Sequence, residues 1–213
     1  MIKRGLTRSR LVAIAQEFVS EHGLDALTMR RLAAAAEVTP GALYKHVRDR
    51  RDLKRAMADA VFGEVDLSGI ETDRPSVDQV VECFVRMRRA LLKFRDGGRM
   101  VAGSYSPSVQ TLRVASTVMA LLHAVTPHAK DAGDVALILR SYVTGFVIEE
   151  QAYLDLLASG EWDGLVDSIL ASGVKRDSDA SDVIAVMTDD RDERFVKGLR
   201  MILTGLVRDT PGL

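Results

Sequence analysis

The sequence has little of what would build a disulfide scaffold, a metal centre, a sheet or a membrane span. Cysteine occurs once, at Cys83. That excludes an intramolecular disulfide and any cysteine-built zinc site, and it fits a reducing compartment. Aromatic residues are 5% of the chain and no Asn-Gly dipeptide occurs. Together with the near absence of period-two alternation, this argues against hairpins and sheets. No apolar run approaches the roughly 20 residues that cross a bilayer. Met1 to Arg10 carries Lys3, Arg4, Arg8 and Arg10 with no apolar stretch behind them, so no signal peptide is expected. Also missing are internal repeats, a glycine-rich phosphate loop, a nucleophile elbow and any ligand spacing among the four histidines. The expectation is a soluble, cytoplasmic protein that is not an enzyme, with no metal, no cofactor and no membrane partner.

What is present is helical. The chain has 213 residues, 47% of them hydrophobic, enough for a substantial core. Its net charge of −1 hides an asymmetry. Residues 1–65 hold 12 Lys+Arg against 8 Asp+Glu, and the remainder 17 against 22. A basic head on an acidic body suits a protein whose head alone meets a polyanion, although a solvated basic face would read the same way.

Caps and periodicity place the elements. Thr7 opens a helix whose Leu11, Ile14, Ala15, Phe18 and Val19 share a face, and Gly23 follows it. Thr28 opens a short alanine-rich helix to Ala36. After a tight turn Thr39 caps a third, with Pro40 in its first position, running to about His46. Asp49 opens a fourth, with Leu53, Met57, Ala60 and Val61 on one face. The polar stretch 66–76 links this to further helices over about 77–94, 109–125, 133–158 and 191–207, and the Ser- and Asp-rich 171–188 reads as a loop. The predicted fold is all-α: a compact unit of short helices within residues 1–65, then a helical bundle over 66–213.

Three short helices and a longer one inside about 60 residues is the layout of a helix-turn-helix. Gly41 and Ala42 let the third helix lie close to base edges and phosphates, and Tyr44, Lys45, His46, Arg48 and Arg50 supply donors. The run from Leu27 to Leu53, LTMRRLAAAAEVTPGALYKHVRDRRDL, resembles the DNA-binding signature of the tetracycline-repressor (TetR) family. YVTGFVIEEQ (142–151), LLKFRDGGRMVAGSYSP (91–107) and RFVKGLRMILTGL (194–206) resemble its long dimer helix, its drug-responsive segment and its last helix.

The resemblance implies that Arg30 reads a base, bidentate to guanine. It places Thr28, Tyr44, His46 and Arg50 on phosphates and Pro40, Gly41, Ala42 and Lys45 towards bases, with Thr39 and Arg48 completing the DNA-binding set. Two alternatives stand beside this. Tyr44 packs its ring on the first helix, and Arg48 and Arg50 are merely solvated. Met29 and Lys45 replace the polar and aromatic residues of drug-responsive relatives, which implies a different operator.

The same resemblance implies a homodimer on a palindromic double-stranded DNA operator, released by a small-molecule effector. Where tetracycline repressors hold a magnesium–drug chelate with histidines, an asparagine and a glutamate, this chain has Asp66, Cys83 and Val101, and keeps only Glu149. That chelate is therefore not the expected effector. Candidate pocket residues are Asp66, Cys83, Met87, Val101, Ser104, Tyr105, His123, Tyr142, Phe146 and Glu149; core packing is the competing reading for Cys83, Met87 and Phe146. For the dimer interface the candidates are Gly145, Phe195, Gly198, Leu199, Ile202 and Gly205, forming a four-helix contact; an intramolecular bundle is the competing reading. Activation, or control without a ligand, uses the same residues.

Overall fold

The computed structural model describes residues 6–105, 107–126, 131–171, 184–185 and 190–208, and among these the regular structure is entirely α-helical. Four helices come first: α1 (Arg8–His22), α2 (Met29–Ala35), α3 (Pro40–Leu43) and α4 (Arg50–Gly63). They are followed by α5 (Val77–Leu92), α6 (Gly97–Val101), α7 (Val109–Val125), α8 (Ala132–Ser159), α9 (Trp162–Ala171) and α10 (Arg191–Arg208).

The helix starts follow from side-chain capping. Thr7, Thr28, Asp49 and Ser76 each accept the backbone N–H three residues on, from Arg10, Arg31, Asp52 and Gln79, at 2.7–3.2 Å. Thr39 is extended with Pro40 after it, but its hydroxyl makes no capping bond. α1 stops at Gly23, whose φ of +79° is a conformation glycine adopts without a β-carbon clash.

α3 is shorter than expected. It holds four residues instead of running to His46, because the His46 and Val47 N–H groups both turn back on the Leu43 carbonyl. Between α2 and α3 the reversal is carried by Glu37 at φ +54°, with Val38 N–H donating to Ala33 O at 3.0 Å. Most of the Ser- and Asp-rich stretch 171–188 lies outside the described residues.

Leu11, Ala15, Val19, Leu32, Leu43, Leu53 and Met57 form the centre of the first four helices, all essentially inaccessible. Fully burying such a side chain contributes about 1.5–3 kcal/mol. α4 continues out of this cluster and packs along α6 and α7, so it belongs to both halves of the molecule. α8 is about 40 Å long at 1.5 Å per residue and lies against α5, α6, α7 and α10. Trp162 sets its ring edge-on to Tyr153 at 4.7 Å and anchors α9 to α8.

Candidate nucleic-acid interface

The residues expected to read DNA are mostly open to solvent. Thr28, Arg30, Thr39, Pro40, Gly41, Tyr44, Lys45, Arg48 and Arg50 are exposed, and Ala42 and His46 are half-buried. Leu43 and Val47 on the opposite side are buried, so α3 is held from behind while its outer side stays open. A β-carbon at Gly41 would meet nothing within 4 Å, leaving room for a base edge or phosphate. Tyr44 is 54% exposed, so its ring is not packed away against α1. Arg31, also exposed, donates to the Ala26 carbonyl at 3.2 Å.

Just behind this surface lies an ion cluster. Asp52, in the first turn of α4, accepts both terminal nitrogens of Arg8 at 2.8 and 3.0 Å and the Arg48 N–H at 2.9 Å. Arg8 Nη1 also donates to the His46 carbonyl at 2.8 Å. The Arg8 guanidinium holds the Asp52 carboxyl well below the usual carboxylate range, with help from the Arg48 amide and against the penalty of burial.

A second cluster joins the first four helices to the rest. In the segment between α5 and α6, Arg95 donates to the Ser20 and Glu21 carbonyls at 3.2 and 3.1 Å. Asp96 is left-handed at φ +58°, and its Oδ2 accepts the Leu24 N–H at 2.8 Å. Arg99 bridges Asp96 and Asp25 at 2.9 and 2.7 Å. On the other side Gln151 of α8 accepts from Gly98 N–H at 3.1 Å and donates to the Phe94 carbonyl at 2.7 Å. A β-carbon at Gly97 would collide with the Leu91 carbonyl, and one at Gly98 would crowd Ile148. From α4, Lys54 donates to the Ala102 carbonyl at 3.1 Å. The α5–α6 corner is thus pressed onto α8 while gripping the α1–α2 corner.

The expected pocket residues divide. Cys83, Met87, Val101 and Ser104 are buried. Burial pushes the Cys83 thiol up to about 11, which leaves it unreactive. The Ser104 hydroxyl is buried with no hydrogen-bond partner among the described residues. Tyr142 and Phe146 are half-buried and committed to Phe195: Tyr142 stacks on it at 5.5 Å and donates to its carbonyl at 3.3 Å, while Phe146 meets it edge-on at 5.0 Å.

The other four lie at the surface of the chain. Asp66, Tyr105, His123 and Glu149 are exposed. Asp66 is occupied in a turn, accepting from Ser68 N–H at 2.8 Å. Tyr105 lies under Arg140 at 5.2 Å on the surface, and the inward carboxylate of α8 is Glu150, not Glu149.

Three of the six expected interface residues are taken up inside the chain. Phe195 and Leu199 are wholly buried, and a β-carbon at Gly198 would strike the Tyr142 hydroxyl. Among the described residues a β-carbon at Gly145 or Gly205 would meet nothing within 4 Å, and Ile202 is half-buried. The exposed side of α10 carries Val196, Lys197, Arg200, Met201, Thr204 and Gly205 along a shallow groove of about 920 Å³.

Sequence reasoning missed one network altogether. Arg88, 5% exposed, donates from Nε and Nη2 to both carboxylate oxygens of Glu150 at 2.8 and 2.6 Å, and from Nη1 to Asp192 at 2.6 Å. It sits 5.5 and 5.1 Å from the ring centres of Phe146 and Phe195. A signal existed. Arg88 shares the inward side of α5 with Phe84 and Leu91, and Glu150 continues the Leu139, Val143, Val147 register of α8.

Comparison with known proteins agrees with this geometry. Residues 11–57 match the family of bacterial regulatory proteins, tetR family, and residues 77–209 match the tetracyclin repressor-like C-terminal domain. The tetracycline repressor protein class A from transposon 1721 of Escherichia coli is 30% identical over 95% of this chain and 91% of its own length. A possible TetR family transcriptional regulator from Streptomyces coelicolor A3(2) superposes with TM-score 0.78 at 32% identity, covering 93% of this chain and 98% of that one. ActR of Streptomyces coelicolor in complex with actinorhodin gives 0.75 at 28%, covering 95% and 96%. BioQ with its natural double-stranded DNA operator gives 0.68 at 26%, covering 95% and 99%.

Proposed function

The chain belongs to the TetR family of bacterial transcriptional regulators, and from that premise we propose that it is a homodimeric repressor released from a palindromic operator by a small-molecule effector. Its reading unit is residues 1–65, and residues 66–213 dimerise and take the effector. The observation that carries the reading is the exposure of Thr28, Arg30, Thr39, Pro40, Gly41, Tyr44, Lys45, Arg48 and Arg50, on and around α2 and α3. The wild-type chain should enrich a palindromic duplex from a random library, with half-sites about 34–36 Å apart. Arg30→Ala should weaken binding to that duplex by ~1–3 kcal/mol and relax preference at one base pair. Unchanged affinity and preference would remove Arg30 from the reading set.

The second copy is supported by the apolar groove along α10 and by the open surface at Gly145 and Gly205. The effector is supported by the unpartnered Ser104 hydroxyl beside buried Val101. The magnesium–tetracycline chelate is disfavoured. Asp66 and Glu149 face solvent, and no imidazole stands at the positions matching the chelating histidines. In the mechanism we favour, effector binding displaces α6 and α4, which packs on it, and so alters the spacing of the two α3 helices. Ligand and DNA then oppose each other through a coupling of ~1–3 kcal/mol. The sensing route runs through the α5–α6 corner, which holds Ser20 to Asp25 by Arg95, Asp96 and Arg99.

A further inference from the structure

We propose that Arg8 and Asp52 are positioning residues for DNA reading: a clasp, outside the reading surface, that fixes the angle at which α3 meets the groove. The proposal rests on the DNA-reading function proposed above. α3 has only four residues and its exit, Tyr44 to Asp49, is irregular. So short a helix cannot set its own orientation, since its intrahelical bonds are too few. Two of the backbone groups at its exit are instead tied down. The His46 carbonyl accepts from Arg8 of α1, and the Arg48 N–H donates to Asp52 of α4. Arg8 and Asp52 are themselves locked by a two-pronged pair at 2.8 and 3.0 Å. Both tied residues, His46 and Arg48, belong to the proposed DNA contacts, so their place is set from two separate helices. Asp52 is 8% exposed and carries negative charge, so it does not itself meet a phosphate.

The sign of one substitution separates positioning from the alternatives. Asp52→Asn removes a negative charge from the head. Electrostatics alone then predicts tighter binding to every DNA. Plain destabilisation predicts weaker binding to every DNA, in step with a lower folded fraction. The clasp predicts a split. Affinity for the library-selected duplex falls about tenfold, while affinity for a scrambled duplex of the same length stays level or rises. Arg8→Ala, at a half-exposed helix start that keeps its Thr7 cap, serves as the second variant. It should give a similar loss on the selected duplex, and Arg8→Ala with Asp52→Asn together should lose little more than either alone. The dependence of log affinity on log salt should keep its slope for Asp52→Asn and Arg8→Ala, because neither residue releases counterions. Equal losses on both duplexes, unchanged affinity for the selected duplex, or a slope reduced by about one in Arg8→Ala would each overturn the clasp. A wild-type chain that enriches no duplex would overturn the DNA-reading function beneath it.

Discussion

The head and the body each bury one carboxylate against an arginine, and they do it for different ends. In the head Asp52 is nearly enclosed but its partner Arg8 is half open to solvent, and both bind backbone groups next to the reading surface. In the body Glu150 and Arg88 are both sealed, with Phe146 and Phe195 close to the guanidinium. The head's pair can be loosened at modest cost and tunes a geometry. The body's pair is a fixture of the seam between α5, α8 and α10: without Arg88 the Glu150 carboxylate has no water to turn to, whereas Arg88 without Glu150 keeps Asp192.

The largest effect that would break this comparison lies in the body. Arg88→Ala should cost ~3–5 kcal/mol of stability in urea denaturation and Glu150→Ala somewhat less, since Arg88 keeps Asp192, and the joint replacement Arg88→Met with Glu150→Leu should recover most of the loss. If Asp52→Asn cost more stability than Glu150→Ala, the two pairs would have been ranked the wrong way round. Next in size is the corner that connects the two regions. Gly97→Ala must push the Leu91 carbonyl aside, which should cost ~1–3 kcal/mol as overpacking does, lowering the unfolding temperature. The smallest effect is acid sensitivity. The Asp52 pKa is depressed in the folded state, so its contribution is fully present above the ordinary carboxylate range near ~4 and fades as the pH falls below it. Asp52→Asn should therefore flatten the stability profile below that point, and an unaltered profile would show that the pair does not bind its proton differently on folding.

The same contrast explains what could be read from the sequence. Caps at Thr7, Thr28 and Asp49, the Pro40 start and the periodic faces of α1 and α4 are local signals, and the structure follows them. The exposed residues of α2 and α3 were legible for the same reason, as part of one ordered motif. α3 was overrun because three residues past Leu43 look equally helical, while the His46 carbonyl and the Arg48 N–H beyond it are held by Arg8 and Asp52 from elsewhere in the chain. In the body the decisive contacts join residues 62 and 104 positions apart, Arg88 to Glu150 and to Asp192. No window along the chain contains both ends. Phe195, Leu199 and Gly198 were expected at an interface because their side of α10 is apolar and small. An apolar face does not say whether it meets its own chain or another, and here Tyr142 of α8 takes it.

The grip on the α1–α2 corner has a consequence for exchange between relatives. Arg95 holds the carbonyls of Ser20 and Glu21, and Asp96 holds the N–H of Leu24; Asp25 alone is gripped through its side chain. Main-chain atoms are common to every sequence that folds this way. The joint therefore works as a standard fitting, one that would accept a head of different base preference provided its corner follows the same path.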